Sequence, residues 1–149
     1  MKFSREEERF LEENEIRRLA TICPDGMPHV VPICYVYRSG ALWVASDYES
    51  KKYRNLLSND NVALVVDVGF DSNRGMLVQG HARIYEKGSK FREIYSVFCK
   101  KFNWVRADPW KEGEVLFIKI EPTQRASWGT KARVNRLSIA RTPLHKQVR

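Results

Sequence analysis

The chain has 149 residues, 43% of them hydrophobic and 30% charged, with 8 Gly and 6 Pro. That length fits one domain with a sizeable core, and the composition excludes a disordered, collagen-like or low-complexity chain. The net charge of +8 is unevenly placed: residues 1–121 hold 19 Lys and Arg against all 18 Asp and Glu, whereas 122–149 hold seven basic residues and no acidic one. A near-neutral domain, 1–130, is therefore expected to carry a basic tail, 131–149. Such a tail reads in three ways: a solvated end, a polyanion-binding arm, or a cationic wall beside a phosphorylated ligand. No apolar run approaches the roughly 20 residues of a membrane span. The opening MKFSREEERFLEE is too acidic for a targeting peptide, so a cytoplasmic protein without membrane contact is expected. Cys23, Cys34 and Cys99, like His29, His81 and His145, show no metal-ligand spacing. The cysteines read as small packed hydrophobes, and no metal site is expected.

Ser4 with Glu7 three residues on is a capping box and predicts a helix over 4–14. From Ile16 the pattern turns to β, with a strand over 16–23 ended by Pro24-Asp25-Gly26. Residues 29–37 read as one strand that turns at Ser39-Gly40 into a second over 41–46. Pro32 lacks a ladder donor, which places its part of the strand at an edge or bulge, where ligands often meet backbone. A short helix is predicted over 50–58 and strands over 61–68 and 76–85. Phe91, Ile94, Tyr95, Phe98 and Phe102 fall on one face of a helix over 89–105, a stripe that reads as core. A strand over 115–120 is ended by Pro122, with a further one over 124–128. Six or seven strands joined by short connections predict an antiparallel sheet closed into a small barrel, with three flanking helices. The absence of GxGxxG and GxxxxGK[ST] excludes the dinucleotide-fingerprint and P-loop readings.

One place breaks a local rule. Lys51 and Lys52 occupy the first turn of the helix after Ser50, where the helix dipole favours acids. Either both point into water, or an anion such as a phosphate lies between them.

The succession LATICPDGMPHVVPI, a hairpin ending WVAS, SKKYRNLLSNDNVALVV and VQGHARIYE resembles the pyridoxamine 5′-phosphate oxidase-like family over roughly residues 8–130. Its most specific parts are S-x-K-x-x-N-L (Ser50, Lys52, Asn55, Leu56) and the pair Gly80 and Ala82. The resemblance implies a mainly β fold with flanking helices, a six-stranded antiparallel split β-barrel of the FMN-binding type. It also implies a homodimer with FMN in the groove between subunits. By that resemblance Lys52, with Ser50 and Lys51, holds the FMN phosphate, and Ser46 meets the phosphate or ribityl chain. The backbone of Val30, Val31, Pro32 and Ile33 runs along the flavin ring, and His29 stands where oxidases of the family often place an arginine. Trp128, with Arg133 or Arg136, resembles residues contributed from the second subunit.

Two positions depart from the oxidase pattern: Lys51-Lys52 replaces an Arg-Lys pair, and Gly75 stands for a glutamine. The expectation is therefore an FMN-dependent oxidoreductase with another small-molecule substrate or electron donor, docking directly on the flavin. An F420-dependent reductase and a flavin-binding protein without turnover are the alternatives. A haem protein ranks below them, because no histidine is placed as an axial ligand. A small barrel binding nucleic acid through the tail is remoter, with Trp128 the one aromatic residue in 122–149. No residue pair demands a general base or nucleophile. The apolar neighbours of Cys34 favour packing over a reactive thiol.

Overall fold

The structure is a computed structural model that describes residues 1–14, 16–68 and 73–129. The capping box at Ser4 forms as the spacing predicts. The Ser4 hydroxyl accepts from the Glu7 backbone N–H at 3.2 Å, and the Glu7 carboxylate accepts from the Ser4 N–H at 2.8 Å. It opens helix α1 (Arg5–Glu13), whose Phe10 and Leu11 enter the main core.

Seven strands follow: β1 (Ile16–Ile22), β2 (Pro28–Pro32), β3 (Tyr35–Arg38), β4 (Ala41–Ser46), β5 (Asn61–Asp67), β6 (Gly75–Tyr85) and β7 (Leu116–Trp128). They form one antiparallel sheet in the order β2-β1-β5-β6-β7-β4-β3. The two edges, β2 and β3, are consecutive in the chain and joined by Ile33 and Cys34 alone. Three peptide steps from Pro32 to Tyr35 reach at most about 11 Å. The sheet must therefore curl until its edges stand side by side, a barrel with one open seam. This is the split barrel, with seven strands among the described residues, within the six or seven read from the sequence and one more than the resemblance implied.

The inside of the curl is filled by Leu19, Leu42, Val44, Leu64, Val66, Met76, Val78, Leu116, Ile118 and Ile120. Trp43 and Phe117 alternate with those residues on β4 and β7 and pack outside the barrel against α3 (Gly88–Lys101). These two strands are thus buried on both faces, which explains why Ala41–Val44 is apolar without alternation. The helical stripe is core as expected, with Phe91, Ile94 and Phe98 buried. Among the described residues no helix is long and apolar enough to cross a membrane.

The structure corrects several local expectations. The segment 29–37 is two strands, because the chain leaves β1 after Pro32 and joins β4 at Tyr35; Pro32 does lie on an edge strand. Pro122 does not end the seventh strand. It sits opposite Gly80 at a bulge in the β6–β7 pairing, an irregularity of the kind that tolerates a residue without an N–H. Helix 89–105 stops at Phe102, whose φ of −117° and ψ of 113° are extended, and a separate α4 (Asn103–Ala107) returns Val105 to the core. That makes four helices among the described residues, with α2 (Lys51–Leu56) shorter than predicted. Of the cysteines only Cys23 is buried; Cys34 is exposed and Cys99 half-buried, so packing does not account for Cys34.

Candidate functional site

The seam opens into a cleft of about 420 Å³, within the size range of small-molecule sites. Three segments build it. The link between the edge strands supplies Pro32, Ile33 and Cys34; the end of β4 supplies Ala45, Ser46 and Asp47; α2 supplies Lys52. Trp104 on α4, with Trp110 and Val115 from the connection to β7, makes the remaining wall.

The stretch from Ser46 to Leu56 shows how sequence positions a charge. Ser50 caps α2 by accepting from the Tyr53 N–H at 3.2 Å, and its hydroxyl lies 2.8 Å from that of Ser46. Asn55 is buried and donates to Thr21 Oγ1 at 3.0 Å, while Leu56 enters the barrel core. Cap and anchor fix both ends of a six-residue helix, so Lys52 is held half-buried at the cleft. It makes no hydrogen bond or ion pair with other described residues. Burial pushes its pKa below the ordinary 10.5, and the Asp47 carboxylate opposes that shift. Lys51 is exposed and lies outside the lining. The charge conflict in the first turn therefore comes down to Lys52.

The fold gathers Pro32, Ile33, Ser46 and Lys52 at the cleft, with Ser50 one hydrogen bond behind. His29, Val30 and Val31 lie on β2 but do not line it. Val30 is 57% exposed, and His29 Nδ1 is buried without a hydrogen-bond partner. Trp128 ends β7 at the far end from the cleft, its indole laid over Gly75, where a Cβ would meet the ring at 2.2 Å. A single chain does not bring Trp128 to the cleft. Arg133, Arg136 and the tail 131–149 lie outside the described residues.

Sequence reasoning missed Ala45, Asp47, Val115 and both tryptophans as lining residues, and gave Cys34 to packing. The available signal was Trp104, a large apolar residue off the buried helical stripe. Among the described residues no three His, Cys, Asp or Glu side chains cluster as a metal ion requires.

The cleft joins one half-buried cation, Lys52, to a mostly apolar wall that also carries Ser46 and the exposed Asp47, on a barrel split at its edges. The family model described as pyridoxamine 5′-phosphate oxidase matches residues 3–129. The chain belongs to this family. Members and neighbours of the split-barrel fold differ in what they bind. A FAD-binding protein of Mesorhizobium loti is 26% identical, over 84% of this chain and 94% of its own, with a TM-score of 0.60. An F420 reductase is also 26% identical, over 80% of this chain and 94% of its own, with a TM-score of 0.63. The haem storage protein of Vibrio cholerae is 17% identical, over 85% and 94% of the two chains at a TM-score of 0.71, and shares the fold. No curated protein matches the chain.

Proposed function

We propose that this chain is a flavin-dependent oxidoreductase that binds FMN in the seam cleft and acts as a homodimer. The observation that carries the reading is Lys52, a half-buried ammonium without an anionic hydrogen-bond partner among the described residues, at one end of an apolar cleft. Holding a charge there that Asp47 offsets only in part costs free energy, which a phosphate would recover through charge-assisted hydrogen bonds. The hydroxyls of the buried Ser46 and the capping Ser50 lie nearby, each within donating distance of the Asp47 carbonyl oxygen at 3.1 and 3.0 Å, and would have to turn from it to meet a phosphate. Asp47 is the group that opposes an anion, and it is exposed. The residues present thus fit a ligand that carries both a phosphate and a planar apolar ring.

When bound, the flavin supplies hydride or electron transfer. This chain's residues bind and orient it. Lys52, Ser46 and Ser50 hold the phosphate, Lys51 adds long-range attraction, and the Pro32–Ile33 backbone borders the ring. Trp128 serves the cleft of a second copy, since β7 carries it about 40 Å along the strand from its own. Val30 belongs to the surface that meets that copy.

An F420-type deazaflavin in the same cleft is the second reading, supported by the 26% identity to an F420 reductase. The absorption spectrum of the purified chain with added FMN tests both. Structured bands near ~450 and ~370 nm that stay with the protein through gel filtration are expected for a bound flavin. Failure to retain FMN, with retention of F420 and its single band near ~420 nm, would favour the second reading.

A further inference from the structure

Trp104 is 50% exposed on a molecule whose other helical aromatics are buried or half-buried. It lines the cleft, and its ring centroid lies 5.5 Å from that of Trp110 at 58°. Trp110 is fixed from behind: its backbone N–H donates to the Tyr95 hydroxyl at 3.1 Å, and its ring packs against Phe98 and Phe117. The break at Phe102 turns α4 away from the line of α3 and sets Trp104 at the cleft rather than along the buried stripe. An indole half in water and braced by a second indole is a preformed stacking surface, rigid on one side and open on the other. The cleft lining therefore joins two chemistries, the Lys52 ammonium with the Ser46 hydroxyl and an electron-rich aromatic wall of Trp104 and Trp110.

We infer that Trp104, backed by Trp110, is the ring-stacking residue of this site and selects ligands that carry a planar, electron-poor heteroaromatic ring. This rests on the flavin reading above, but it assigns the ring a side chain independently of the phosphate. Phosphate and ring are then recognised by separate groups, and each can be removed alone.

The test uses the full chain, with riboflavin and FMN as probes, and the variants Trp104→Ala, Trp104→Phe and Lys52→Ala. Trp104→Ala is expected to weaken both probes by the same factor, about 5- to 100-fold, the range of aromatic stacking on a heterocyclic base. Lys52→Ala is expected to weaken FMN and leave riboflavin unchanged. Stacking on an indole adds a long-wavelength shoulder to the flavin band, which Trp104→Phe should lose while keeping riboflavin within a few-fold of wild type. Trp104→Ala binding both probes within twofold of wild type would overturn the inference and leave the flavin reading standing. Should that variant fail to fold, a shoulder that persists in Trp104→Phe overturns it equally. A wild-type chain that binds neither probe removes the flavin reading, and the inference with it.

Discussion

In the proposed reading Lys52 sets the affinity of the site for anions, because its ammonium is the cation that the fold holds at the cleft. Lys52→Ala is expected to weaken FMN by about 1.5–3 kcal/mol, the scale of a hydrogen bond to a charged group, measured by titration at constant salt. In that reading it is the protonated form that would hold the phosphate, and burial lowers the pKa from its ordinary 10.5. FMN affinity should therefore fall as pH rises through the alkaline range, earlier than for an exposed lysine. Lys52→Arg, charged throughout, should flatten that profile. Asp47 acts in two opposed ways. Its carboxylate repels a phosphate, yet it also helps keep Lys52 protonated. Asp47→Asn is thus expected to tighten FMN roughly 2- to 10-fold at neutral pH, the worth of one nearby charge in a wet cleft, and to move the alkaline loss to lower pH. A neutral-pH affinity that falls in this variant would show Asp47 to be a ligand contact.

Between elements, α1 is held to β7 by an ion pair far apart in sequence. Glu7, with a side chain 8% exposed, accepts from Arg125 Nε at 2.8 Å. Burial alone would raise the Glu7 pKa, but Arg125 and the Ser4 N–H outweigh it and hold the carboxyl below its ordinary 4.5. A depressed carboxylate pKa contributes stability that is complete above the unfolded value and lost as pH falls through the folded one. Glu7→Gln should cost roughly 1.5–3 kcal/mol in urea unfolding at pH 7, with the difference from wild type shrinking below about pH 4. At the bulge between β6 and β7 a Cβ on Gly80 would lie 2.0 Å from the Glu121 carbonyl oxygen, so backbone must move. Gly80→Ala should cost about 1–3 kcal/mol by the same measurement. This bulge also marks where the sequence stops being readable. The Ser4 cap, the helical stripe from Phe91 to Phe98 and the alternation of β5 are local, and the sequence displays them plainly. Whether Pro122 ends a strand depends on what stands opposite it, and Gly80 is 42 positions away. The site divides in the same way. Ser46, Ser50 and Lys52 stand within seven residues and carry a recognisable spacing. Asp47 and Trp104 become neighbours of one cleft only once β4 and α4 are placed, and no periodicity announces that.

For the whole molecule the open seam leaves two sheet edges and an apolar fringe on one side, with Met27 62% and Val30 57% exposed. In the proposed homodimer a second copy covers this fringe, so Val30→Glu should shift sedimentation velocity from dimer towards monomer. FMN should weaken in parallel if the partner helps wall the cleft. Wild type sedimenting as a monomer with FMN bound would remove the dimer from the proposal. The sheet order holds a consequence for how the molecule comes to exist. β7 alone pairs with both β6 and β4; without it the sheet is two pieces, β2-β1-β5-β6 and β4-β3, with no strand pairing between them and only the chain connections 33–34 and 47–60 to join them. A ribosome making roughly 5–20 residues per second holds the chain in that divided state for several seconds, until the last strand emerges. Until then the inner faces of both pieces are open to water, and their unpaired strands are open to other chains. The nascent protein is most vulnerable to aggregation just before β7 arrives, and slow codons shortly upstream of Leu116 would lengthen that interval.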